Sequence, residues 1–127
     1  MDGSVLIAEA RRALLQAHAP YSRFRVGAAV MTADGTVYRG CNIENVSLGL
    51  GICAERVALF TATADGAAEI VAVAVATERD EMVTPCGACR EVILELAPRA
   101  RVFLADAGGG MREISPGELL PGGRTTS

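Results

Sequence analysis

At 127 residues the chain is long enough to bury a real core and short enough to form one domain spanning residues 1–127. With 12 Lys and Arg against 15 Asp and Glu, the net charge of −3 argues against a nucleic-acid partner, which needs a concentrated basic face. No apolar stretch approaches the roughly 20 residues of a membrane span, and Met1-Asp2-Gly3-Ser4 does not open a signal peptide, so a cytoplasmic chain with no membrane partner is expected.

Ser4 can cap a first helix running to about His18, with Leu6, Ala10, Ala13, Leu14 and Ala17 on one face and Pro20 beyond its end. Val26 to Met31 and Thr36 to Cys41 read as strands joined through Asp34-Gly35, an antiparallel hairpin. After a loop holding Gly49 and Gly51, a second helix is expected from near Cys53 to Asp65-Gly66. The Val/Ala/Ile run from Ile70 to Ala76 suits a central strand covered on both faces. A third helix starts at or just after Cys86 and closes before Pro98. Val102 to Ala105 and Met111 to Ile114 are further strands, and Ser115-Pro116-Gly117-Glu118 has the form of a capped helical turn. A hairpin followed by β-helix-β predicts an α/β fold, a three-layer α/β/α sandwich around a mixed sheet of about five strands, with a loose tail from about residue 121.

Cysteine usage carries the chemistry. The chain has four cysteines, and in an intracellular setting they read as metal or catalytic thiols before disulfides. Cys86 and Cys89 have the gap that lets two thiolates chelate one ion, and Cys53 can add a third sulfur. Three protein ligands leave a fourth position open, as in a catalytic rather than a structural zinc site, and Glu55 lies beside that position as a group able to move protons. Both clusters fall where the chain enters a helix, whose N-terminal N–H groups favour thiolate over thiol. Zn²⁺ on three thiolates carries a net negative charge, so Arg56 and Arg90, one next to each cluster, are candidates to offset it by hydrogen bonds to sulfur. Each piece also has a plain reading. Cys53 alone would be a buried cysteine, Cys86 and Cys89 alone a redox pair or half of a structural site, and Glu55 a helix-surface carboxylate. Their coincidence favours the joint reading. Cys41 is expected to be buried and unligated, a closed four-cysteine site being the alternative, and His18 to be an ordinary helix residue.

The His/Cys-x-Glu and later Pro-Cys-x-x-Cys arrangement is the signature of zinc-dependent nucleobase deaminases. More broadly, the segments from Pro20 to Ala29, Gly40 to Asn45, Gly51 to Arg56, Pro85 to Arg90 and Glu118 to Pro121 resemble, in order, the small homotetrameric cytidine deaminases. That resemblance implies one zinc per chain on Cys53, Cys86 and Cys89, with Glu55 shuttling protons. It further implies ribose contacts from Asn42 and Glu44, Phe24 against the pyrimidine ring, Ala54 lining the substrate site, and a homotetramer. The implied reaction is hydrolysis of cytidine, and of deoxycytidine, to uridine or deoxyuridine and ammonia in pyrimidine salvage. Two departures stand out: Leu48 replaces a common aromatic, and residues 122–127 contain none. Both imply a more open pocket, or one suited to a modified cytosine nucleoside such as the blasticidin type. A non-catalytic zinc protein and a polynucleotide-editing deaminase are the other readings; Glu55 speaks against the first and acidity against the second.

Overall fold

The computed structural model describes residues 3–122. Its elements are α1 (Ser4–Leu14), β1 (Val26–Thr32), β2 (Val37–Cys41), a short 3₁₀ turn (Leu48–Leu50), α2 (Ala54–Ala64), β3 (Ile70–Thr77), α3 (Gly87–Leu96), β4 (Arg101–Ala105), β5 (Met111–Ile114) and α4 (Pro116–Leu119). The strands form one sheet in the order β2-β1-β3-β4-β5. Only β3 and β4 run parallel, joined over α3, and the other pairs are antiparallel. The expected mixed, five-stranded sheet between helical layers is therefore observed.

The run along β3 hides an alternation that decides which helix packs where. Val73 and Val75 join Ala28, Val30, Val102 and Leu104 under α2, α3 and α4. Ala72, Ala74 and Ala76 face the other way and, with Ala29 and Phe103, receive Leu6, Ile7 and Ala10 of α1. Small residues on that face let α1 lie close. At Gly27 a Cβ would come 1.9 Å from the Ala10 carbonyl. Gly40 does the same for the opposite face: a Cβ there would be 2.5 Å from both Ala54 O and Ala58 N. The first turn of α2, which bears the Cys53 and Glu55 motif, thus rests directly on the backbone of β2.

The first helix departs from expectation at both ends. Ser4 is its first helical residue, and Gly3, which has no capping side chain, is the N-cap. The helix stops at Leu14, where the N–H groups of Leu15, Gln16 and Ala17 tighten onto carbonyls three residues back. His18 is not helical. Its N–H donates to Asn42 O at 3.0 Å, its own carbonyl accepts from Glu44 N at 2.8 Å, and it bridges to Ile43. Pairing with that distant segment wins over one more helical turn. Ser115 caps α4 with the reciprocal Glu118 bond that its sequence promised. Of the expected tail, residues 123–127 lie outside the described residues.

Candidate active site

Two helix starts create the centre of the site. Cys53 is the N-cap of α2, and Cys86 is the N-cap of α3, its sulfur accepting from Cys89 N at 3.5 Å. The sulfurs of Cys53, Cys86 and Cys89 all lie within 4.8 Å of one another, with Cys53 and Cys86 at 3.6 Å. A tetrahedral zinc with Zn–S near 2.3 Å spaces its sulfurs about 3.8 Å apart, so this donor set fits the metal. Crowding the thiols has an electrostatic result. Cys53 is pushed down to about 5, first by the hydrogen bond it shares with Cys89 and then by Arg56. Cys89 is pushed up by that same shared bond. Negative charge therefore collects on Cys53.

Arg56 answers that charge, with Nη2 donating to Cys53 Sγ at 3.6 Å. Its Nε is buried with no hydrogen-bond partner among the described residues, a cost of about 1–3 kcal/mol. Arg90 does not do what its position suggested. Its guanidinium donates to the carbonyls of Pro85 and Leu119 at 2.8 and 2.9 Å and to Thr84 Oγ1 at 2.8 Å. It fastens the loop before Cys86 to the end of α4. None of these bonds goes to sulfur, because α4 brings an unsatisfied carbonyl within reach first. Cys41 is half-buried rather than buried and stands outside the sulfur group; burial pushes its thiol up.

Glu55 sits in the first turn of α2 and is only 5 % exposed. Burial raises its carboxyl to about 7, against an ordinary value of 4.5. A group poised there both accepts and donates protons at neutral pH. It opens on a cavity of about 420 Å³ that Phe24, Asn42, Glu44, Ala54, Cys53 and Cys86 also line.

The far wall is irregular chain held by backbone pairing of residues 42–44 with His18 and Ile52 and by side-chain hydrogen bonds. Asn42 accepts from Val26 N through Oδ1 at 2.9 Å and donates through Nδ2 to Phe24 O at 2.9 Å. Each end of that amide keeps one further bond to offer. Glu44 accepts from Tyr21 N at 3.0 Å, from Ser22 N at 3.1 Å and from Ser22 Oγ. Those bonds, the Ser22 hydroxyl first, hold its carboxyl below the ordinary value. Ser22 also accepts from Phe24 N at 3.1 Å. Arg23 between them has φ 56, the one non-glycine residue with positive φ among the described residues, and this kink turns Phe24 towards the cavity. Ser22 was legible in the sequence only as part of the segment from Pro20 to Ala29. Leu48 is 81 % exposed at the cavity edge.

An open three-sulfur centre sharing a cavity with a buried carboxylate is the layout of a catalytic metal site, not of a closed structural one. Residues 3–105 match the family model of the cytidine and deoxycytidylate deaminase zinc-binding region. A cytidine deaminase of Halalkalibacterium halodurans is 51 % identical over 126 residues, covering 98 % of this chain and 96 % of its own. The crystal structure of a cytidine deaminase from Burkholderia pseudomallei superposes with a TM-score of 0.93 at 47 % identity, covering 98 % of this chain and 100 % of that one. The corresponding enzyme structure from Mycobacterium tuberculosis gives a TM-score of 0.84 at 36 % identity, over 97 % of both chains. The chain belongs to the zinc-binding cytidine and deoxycytidylate deaminase family. It is an enzyme of the hydrolase class, and its cofactor is zinc.

Proposed function

We propose that this protein deaminates cytidine, and deoxycytidine, by hydrolysis to the uracil nucleoside and ammonia, with Cys53, Cys86 and Cys89 holding one zinc and Glu55 moving the protons. The observation that carries the reading is the convergence of three sulfurs within 4.8 Å and a buried carboxyl near 7 on one cavity. Zinc, when bound, supplies Lewis acidity that lets water act as a nucleophile at neutral pH. Glu55 accepts the proton that this water loses and delivers it to N3 of the pyrimidine; it then takes the second proton from the new C4 hydroxyl and passes it to the leaving amine. Burial keeps its proton affinity in the range where both directions are easy. Arg56 steadies the negative sulfur of Cys53.

Phe24 presents its ring to the base, and Ala54 borders it from the start of α2. Asn42 and Glu44 receive the ribose hydroxyls, each with its orientation already set by bonds to the chain. A site built to pair with hydroxyls rejects a ligand lacking them, so free cytosine is a poor substrate. Val46, Leu48 and Leu50 are exposed apolar side chains, Leu48 at the cavity, and further copies in a homotetramer cover them. The cytoplasm suits four free thiols, and no helix among the described residues is long and apolar enough to cross a membrane. A second reading has one observation in its favour: Leu48 leaves the cavity edge open, which admits a cytosine nucleoside carrying an extra group.

One experiment tests both chemistry and substrate. The purified protein contains about one zinc per chain by elemental analysis and Cys86→Ala loses it, while ultraviolet assay ranks cytidine and deoxycytidine above cytosine, CMP and blasticidin S. Undiminished zinc in Cys86→Ala overturns the ligand set, and blasticidin S in first place overturns the substrate.

A further inference from the structure

The cavity wall has a support outside the cavity. β1 and β3 pair antiparallel with Val26 opposite Thr77. Continuing that register past the strand ends sets Arg25 against Glu78 and Phe24 against Arg79, and the side chains follow it. Glu78 accepts from Arg25 N at 3.0 Å and from Arg25 Nε at 2.6 Å. One step further, the Arg79 guanidinium carbon lies 4.1 Å from the centre of the Phe24 ring. Arg79 is itself held: its carbonyl accepts from Ala107 N at 2.9 Å and from Thr77 Oγ1 at 3.3 Å. Its side chain is 48 % exposed and approaches Glu81 only at 3.9 Å, so the ring is its close partner. Phe24 lines the cavity and Arg79 does not.

We infer that Arg79 is a positioning residue, a cationic clamp on Phe24 that holds the ring against the nucleoside base. This rests on the proposed role of Phe24 and extends it to a residue that never meets the substrate. The backbone of Phe24 is fixed by Ser22 and Asn42, but those bonds leave the ring free to turn about its own side-chain torsions. A guanidinium stacked on one side restricts that freedom and keeps water off the face it covers. The ring then meets the base already oriented, and less ordering is left for binding to accomplish. Because Phe24 would touch the base alike before and during reaction, the clamp acts on binding and not on the chemical step.

The test is a double-mutant cycle of Arg79→Gln with Phe24→Leu, read as kcat and KM for cytidine and as uridine affinity by calorimetry, with zinc content and melting curves as controls. Arg79→Gln raises KM and weakens uridine binding about two- to fivefold, the scale of an exposed cation–π contact, and leaves kcat and zinc content unchanged. Arg79→Lys, which keeps the charge but not the plane, recovers part of the loss. In the Phe24→Leu background, Arg79→Gln adds nothing. An equal KM effect in both backgrounds, or none in the presence of Phe24, overturns the clamp. If Phe24→Leu leaves KM unchanged, the reading of Phe24 falls and the clamp with it. A harmful Phe24→Leu beside a harmless Arg79→Gln removes the clamp alone.

Discussion

The two walls of the cavity are made by different means. On the cysteine side, Ala54, Glu55 and Cys89 are buried at the starts of two helices whose other turns form the core. On the opposite side, Ser22 to Phe24 and Asn42 to Asn45 are irregular chain, tied by Asn42, Glu44 and Ser22 to one another's backbones. One wall is positioned by packing and the other by directed polar bonds. Packing resists small displacement, as a reacting centre requires, whereas a polar network tolerates exposure and leaves bonds free for a ligand. Changes on the first wall should therefore strike kcat, and changes on the second should strike binding.

The largest effect expected is at Glu55. Glutamine keeps its shape but cannot carry a proton, so Glu55→Gln should lower kcat about 10²–10⁴-fold. Zinc content should hold, and so should the melting temperature, because the change removes a buried ionisable group and leaves its volume. Steady-state kinetics on metal-analysed protein checks this; a rate near wild type would detach the buried carboxyl from the chemistry.

A methyl group can separate fold from site. Gly40→Ala forces a Cβ to within 2.5 Å of the α2 backbone, while Gly27→Ala forces one to within 1.9 Å of α1 on the far face. Overpacking of this kind costs about 1–3 kcal/mol, so both variants should melt earlier. Only Gly40→Ala pushes on the helix that carries Cys53 and Glu55, and it alone should also lower kcat per folded, zinc-loaded molecule. Equal kcat in the two variants would mean that the cysteine wall is not held by its packing on β2.

These contrasts also explain what could be read in the sequence. The beginnings of α2 and α3 were legible because cysteine, proline and glycine mark them locally, and the same marks fix the sulfur spacing. The strands were legible because β-branched runs and turn glycines are local too. The end of α1 was not: Leu15, Gln16 and Ala17 suit a helix, and only the remote bond from His18 N to Asn42 O stops it. Arg90 was misjudged for the same reason, since its choice of oxygen over sulfur depends on Leu119, which the later fold brings back. Ser22 stands in the polar wall and Arg79 lies behind it against Phe24, and both act through partners that no local pattern names.

Acid should test the polar wall selectively. The carboxyl of Glu44 is held below 4.5 in the folded chain, chiefly by Ser22. A depressed folded-state value stabilises above the ordinary value and loses that stabilisation as pH falls through the folded one. Wild type should therefore melt above Glu44→Gln at pH 6 to 7, and the gap should close as pH drops below 4.5. Melting curves across that range decide it; a gap that persists under acid would assign the difference to something other than the carboxylate.

The smallest effect is the one that bears most closely on how the polar wall is preset. Arg23 is held at φ 56, where an L-residue with a side chain is strained by about 1–2 kcal/mol. Glycine has no such strain, but it gives the unfolded chain more freedom, an offset of about 0.5–1 kcal/mol. Arg23→Gly should thus gain at most about 1.5 kcal/mol of stability, seen as a slightly higher melting temperature. The same freedom loosens the kink that turns Phe24 into the cavity, so KM for cytidine should rise modestly while kcat stays. Arg23→Ala keeps the strained backbone and removes only the exposed guanidinium, and it should change neither quantity. A rise in KM for Arg23→Ala equal to that of Arg23→Gly would shift the role from the backbone to the charge. A gain in stability with a loss in binding, confined to the glycine variant, would mean that the substrate wall holds its shape against the preference of its own chain.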